Sequence, residues 1–172
     1  MTGAGLAGRR RARKVAVPDV VRSHAAVERV DYQDAFAVPV DTSARDGAER
    51  WVRAVLDDAP APLRAFLRFG WSLFGARLGP YPSPAHVMGW RIGENEPDHV
   101  RLEVEWTIGL RANLVLRALP TSVVLATFVQ LDTRASRVLW PALIPLHQLI
   151  LRYVLSRAAR SDSSLAPHES GC

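Results

Sequence analysis

The amino-acid sequence predicts an α+β domain in which a curved antiparallel sheet wraps a long C-terminal helix. Three observations carry that prediction. Alternating strands follow one another between residues 86 and 131 with only turn-length gaps, which favours an antiparallel meander over crossover-linked parallel strands. Two short amphipathic segments, 43–59 and 62–75, come before them. A helical pattern then closes the chain from about 137 to 159.

In chain order, the first regular element is a strand over 31–40, with Tyr32, Phe36, Val38 and Val40 on one face. Asp34 interrupts that face, and Pro39 suits a sheet edge, where a missing amide costs no ladder bond. Ser43 and Asp46 have the spacing of a capping box, a hydroxyl and a carboxylate placed to satisfy the free amides of a helix start. Ala48, Trp51, Val52 and Val55 continue at helical spacing until Asp57-Asp58-Ala59-Pro60. Pro62 opens a second helix, since a first turn has no amide partner to lose. Its stripe of Leu63, Phe66, Leu67, Gly70, Trp71 and Phe74 lies opposite Arg64 and Arg68. Gly75, Gly79, Pro80, Pro82 and Pro84 then form a breaker-rich loop.

Beyond the loop, 86–93 reads as one strand, with His86, Met88, Trp90 and Ile92 on one side, and 93–98 as a turn. Val100, Leu102, Val104, Trp106 and Ile108 alternate with Arg101, Glu103, Glu105 and Thr107, apolar to one face and polar to the other. Residues 110–119 continue the meander, and 121–131, apolar on both faces in its middle, reads as a central strand. About five strands are countable in all. In the last helix Leu143, Leu146, His147, Ile150, Leu151 and Val154 share one side. Arg152, Arg157 and Arg160 load its C-terminal end favourably for the helix dipole.

With 172 residues, 48% of them hydrophobic and 23% charged, the chain suits one domain with an adequate core. Arg9, Arg10, Arg11, Arg13 and Lys14 bring positive charge to a stretch without acids, whereas from residue 15 onward 17 arginines balance 17 acids. The basicity therefore belongs to a tail, and the expected organisation is a basic disordered tail over 1–26, a folded domain over 27–160 and a frayed polar end over 161–172. No nucleic-acid partner is expected, because the folded part adds no basic surplus. Residues 138–155 are apolar enough to suggest a membrane span, but two prolines, His147, Gln148 and Arg152 inside them argue against one. The single cysteine, Cys172, excludes an internal disulfide and a cysteine-based metal site, and suits a reducing, cytoplasmic setting. With five scattered histidines, no metal and no cofactor is expected. Glycine-rich nucleotide loops, HExxH and Gly-x-Ser-x-Gly motifs do not occur.

The order of strand, two helices, antiparallel strands and long terminal helix resembles the START-like superfamily, also called SRPBCC, of polyketide cyclases and lipid-transfer domains. The resemblance runs through the strand 30–40, the helical pair, the strands from His86 to Asp132, and Trp140-Pro-Ala-Leu-Ile-Pro-Leu-His147 leading into the last helix. It thus covers nearly everything from about residue 30 to 160, and is nearest to bacterial members whose last helix has a comparable aromatic, proline and histidine content. The resemblance implies a helix-grip fold. The last helix would close a cavity for a small hydrophobic molecule, and the two short helices would guard its mouth.

Five residues are candidates for such a cavity. Trp90 and Trp106 fall on apolar strand faces, and Trp71 and Phe74 belong to a mouth helix. His147 lies on the apolar stripe of the last helix, where it can hydrogen-bond a ligand carbonyl or act as a general acid or base. Each also has a plain packing role, because large aromatic rings bury area with or without a ligand. Glu103 and Glu105, with Arg91 and Arg111, read as a solvated sheet surface. The expected function is binding of a lipid, polyketide or isoprenoid-like molecule. The alternatives are a cyclase or dehydratase using His147, and an interaction domain without a ligand.

Overall fold

The computed structural model describes residues 11–40 and 47–163. In chain order it comprises β1 (Arg13–Val15), α1 (Asp19–Arg22), β2 (Tyr32–Pro39), α2 (Ala48–Leu56), α3 (Ala61–Leu73), β3 (His86–Val87) and β4 (Trp90–Asn95). β5 (His99–Trp106), β6 (Leu110–Leu119), β7 (Ser122–Leu131) and α4 (Arg134–Ser163) complete it. The strands form one curved sheet in the order β1-β2-β7-β6-β5-β4-β3, with every neighbouring pair antiparallel. The chain is therefore α+β, with seven strands where the sequence pattern reveals about five. The additional strands, β1 and β3, span three and two residues, too few for alternation to register.

β3 arises because the expected strand 86–93 is folded back on itself. Val87 pairs with Trp90, so Met88 and Gly89 form a two-residue hairpin loop, both with positive φ (50° and 92°). Asparagine or aspartate usually takes the first such position. Here a methionine occupies it, wholly buried, and its amide is held by Asp57 Oδ1 at 2.9 Å. Tertiary burial offsets the backbone strain that the sequence offered no reason to expect.

Each sheet face has its own cover. On the inner face, Phe36, Leu102, Leu116 and Leu125 pack with Trp51 of α2 and with Leu151, Val154 and Leu155 of α4. On the outer face, Ala35, Val115, Val124, Ala126 and Phe128 form a second cluster around Val21 of α1. Two covers explain why the middle of β7 is apolar on both sides.

The second cover corrects the expectation of a disordered tail over 1–26. Residues 1–10 lie outside the described residues, but from Ala12 onward the segment is docked. The buried amide of Ala12 donates to Ser156 Oγ of α4 at 2.8 Å, β1 pairs with β2, and Val21 is fully buried. Asn113 Oδ1 accepts from the amide of Ala26 (2.7 Å) and Gln130 Oε1 from that of Glu28 (3.0 Å), which pins the return to β2. The few apolar residues among the arginines suffice because the sheet already offers an apolar outer face.

α2 lies within the first expected helix, and α3 starts one residue before the second and ends at Leu73, with Phe74 just past it; the Ser43–Asp46 capping box is outside the described residues. α2 begins after Gly47, with the amide of Ala48 donating to Pro97 O. α4 starts earlier than its apolar pattern, at a turn where Thr133 Oγ1 accepts from the amide of Ser136 (3.1 Å). It also continues past the expected end, to Ser163, and contains Pro141 and Pro145. By length and composition alone α4 could cross a membrane. Its Trp140, Leu151, Val154 and Leu155 are buried in the domain, whereas Val138, Leu149 and Tyr153 are exposed.

Candidate functional site: a cavity between the sheet and the long helix

A cavity of about 330 Å³ lies between α3, α4 and the inner sheet face, near the small end of ligand pockets. Trp71, Phe74, Trp90, Trp106 and His147 all line it. Alternation along β4 and β5 turns Trp90 and Trp106 inward, and helical spacing turns His147 toward them from α4. Trp71, Trp90 and Trp106 form a chain of edge-on contacts, with ring centroids 5.4 and 5.7 Å apart. This arrangement is favourable for aromatic quadrupoles and makes one wall nearly continuous. Phe66, Phe69, Leu73 and Leu146 line the cavity yet remain exposed, so its mouth opens between α3 and α4.

Opposite the tryptophan wall stands a polar group that the sequence pattern does not bring together. His147 Nε2 is 3.2 Å from Thr127 Oγ1 and 3.5 Å from Asp34 Oδ2, and the Asp34 side chain is completely buried. Tyr32 donates its hydroxyl proton to Asp34 Oδ2 at 2.6 Å and accepts one from Gln148 Nε2 at 3.0 Å. The register explains the meeting: Asp34 sits directly across from Thr127, and both face α4. The sequence did carry a signal for Asp34, since a carboxylate on the apolar face of a strand must find a partner inside.

The electrostatics are decided by competition. Burial alone would push the Asp34 carboxyl up, but hydrogen bonds from His147, Tyr32 and Thr127, with the His147 charge, outweigh it and hold the group below its usual range. Burial and the Asp34 carboxylate together push the Tyr32 phenol well up, so it stays a proton donor. An ionised carboxylate beside an imidazole fixes the orientation of the ring. Asp34 Oδ1 and the indole nitrogens of Trp90 and Trp140 are buried without a hydrogen-bond partner among the described residues. Among the described residues, Thr127 and His147 supply the only polar side chains besides indoles in an otherwise aliphatic and aromatic lining.

The other surface expectations divide. Glu105 is half exposed, whereas Glu103 is largely covered by ion pairs with Arg101 and Arg91 on the outer face. Neither glutamate approaches the cavity lining. No protein-family model, curated protein or solved structure matches this chain. The cavity and its polar wall therefore stand as the basis for a functional reading.

Proposed function

We propose that this chain is a START-like helix-grip domain that binds a small, mainly apolar molecule bearing one hydroxyl or carbonyl group. The observation that supports it is the pairing, in one cavity, of a tryptophan wall with the His147–Thr127 polar pair. A molecule seated there would lose apolar surface to Trp71, Trp90 and Trp106 while its polar group met His147. Burying that group unpaired would cost about 1–3 kcal/mol, so such a pair selects ligands that satisfy it. The proposed setting is the cytoplasm, with α4 serving the domain core rather than a bilayer, and the partner is a small molecule rather than a nucleic acid.

Native mass spectrometry of the freshly purified full chain tests this directly. A co-purified hydrophobic species, reduced in Trp106→Ala and exchanged for a different set in His147→Gln, is the expected outcome. Well-folded protein that carries nothing, and whose tryptophan fluorescence ignores added fatty acids, aromatic polyketides and isoprenoids, would leave only the interaction-domain reading.

One observation favours a second reading, acid–base catalysis on the bound molecule. His147 is backed by a buried, ionised carboxylate, the arrangement that orients a catalytic imidazole. In that role His147 would move a proton to or from the ligand while Asp34 and Tyr32 held it in place. Release of the bound species chemically unchanged after incubation separates binding from catalysis.

A further inference from the structure

The outer face of the sheet carries a second constellation, remote in sequence and unrelated to the cavity. His24 arrives on the docked N-terminal segment, Glu94 on β4 and His99 at the start of β5. Their ligand-capable atoms lie within 4.8 Å of one another. The two imidazole rings lie against each other at a 31° tilt, with centroids 3.7 Å apart, and Glu94 Oε1 is 3.0 Å from His99 Nε2 and 3.6 Å from His24 Nδ1.

Glu94 is there because of a backbone irregularity. Trp90 and Ile92 face inward, so plain alternation would send Glu94 inward too. The register shifts between Ile92 and Glu94, and Glu94 instead pairs with Arg101 on the outer side. Such bulges re-aim side chains. Gly93 permits this one, since a Cβ there would lie 2.0 Å from Glu103 Oε1. Asn95, turned inward by the same shift, donates to Glu49 of α2 at 2.6 Å.

His99 is held as a ligand would be. Its side chain is 8% exposed, and its Nδ1 is 2.8 Å from Asp98 Oδ1. A proton on Nδ1 directed at that carboxylate leaves the Nε2 lone pair free, the second-shell pattern of metal-bound imidazoles. Nε2 is buried and lies 3.0 Å from Glu94 Oε1, the contact a bound ion would replace. Arg101 binds the other oxygen of Glu94, Oε2, at 2.5 Å and the carbonyl of His24 at 3.0 Å. It thereby steadies two of the three residues and leaves Oε1 turned toward the two imidazoles. Arg117 completes the surroundings, 2.9 Å from Asp98 Oδ2 and 3.4 Å from His24 Nε2.

We infer that His24, Glu94 and His99 form a zinc-type divalent metal site that clips the N-terminal segment to the outer face of β4 and β5. The donor set decides the metal class. Two imidazole nitrogens and one carboxylate oxygen suit zinc or its cobalt substitute, whereas magnesium and calcium prefer oxygen alone. A tetrahedral ion bonded at about 2.0–2.1 Å holds its donors about 3.4 Å apart, so on binding Glu94 Oε1 and His99 Nε2 open slightly from 3.0 Å, the two rings splay from their 3.7 Å contact, and a fourth position is left for water. Because the donors come from three separate segments, only the folded chain assembles the site, and bound metal must raise stability.

Zinc chloride titrated into the chelator-treated full chain at neutral pH tests the site. One zinc per chain should bind, with a saturable rise in Tm, and cobalt(II) should give the visible d–d bands of a tetrahedral site. His24→Gln and Glu94→Gln alter partly exposed side chains, so both should fold and lose this binding. Asp98→Asn should weaken it by about 10- to 100-fold. The inference is overturned if no zinc binds, if His24→Gln and Glu94→Gln bind as the parent does, or if Cys172→Ser alone abolishes the binding. The first two outcomes would leave the paired histidines as polar packing, and the third would move the metal to the Cys172 thiol.

Discussion

α2 and α3 look alike as sequences, each with an apolar stripe opposite arginines, yet the fold uses them in opposite ways. α2 buries Ala48, Trp51, Val52, Val55 and Leu56, more than half of its nine residues, against the sheet and α4. α3 is longer, at 13 residues, and has none buried. Polar ties secure both. Arg53 of α2 reaches the carbonyls of Pro84 and His86, while Arg64 and Arg68 of α3 reach those of Asp57 and Met88. What separates the helices is what lies beneath them. α2 sits on packed core, whereas α3 roofs the cavity, so Leu67 and Trp71, with Phe74 just past its end, meet space that a ligand could fill. An amphipathic stripe thus reports a helix's apolar side without reporting whether that side is filled.

Substitutions can break or sharpen this contrast. The largest effect belongs to α2: Trp51→Ala removes a ring with no exposed surface and should lower unfolding free energy by about 3–5 kcal/mol, measured by urea denaturation. Loss of less than half that amount would mean that α2 is no better packed than α3. Next comes the outer cover, where Val21→Ala should cost roughly 1.5–3 kcal/mol if the N-terminal segment is part of the core. Truncation of residues 1–22 should then lower Tm clearly, and an unchanged Tm would return the segment to a dispensable tail.

A pH effect of intermediate size comes from the junction of that segment with β2. Hydrogen bonds from the Arg29 guanidinium and the Leu131 amide lower the Asp31 carboxyl from 3.8 to about 2. A folded-state value below the unfolded one stabilises the protein above the ordinary carboxylate range. That stabilisation fades as pH falls from about 4 through about 2. Asp31→Asn should therefore flatten part of the acid decline in Tm while leaving the share due to Asp34. An unaltered acid limb would show that this pair is not formed in solution. The smallest effect belongs to α3, where Phe69→Ser, at a side chain 68% exposed, should change stability by no more than about 0.5 kcal/mol. The same variant should alter ligand uptake, because Phe69 lines the mouth. A large stability loss would show α3 to be a packed element like α2.

Sequence alone determined the fold class, the antiparallel order from β4 to β7 and the long final helix, because periodicity of 2 or 3.6 is a local property of the chain. It also selected Trp71, Phe74, Trp90, Trp106 and His147 by face, and those faces do meet at one cavity. Tertiary structure decided the rest. Asp34 was legible as an intruder on an apolar face, but its meeting with His147 depends on the β2–β7 register and on the placement of α4 across them. The Met88–Gly89 hairpin and the bulge at Gly93 carry no turn signature, since burial of Met88 and the ion pairs of Glu94 stabilise them. His24 and His99 are 75 residues apart, and only the docking of a segment that reads as tail brings their rings into contact. Local pattern decides which way a side chain faces, and long-range register and docking decide what it faces.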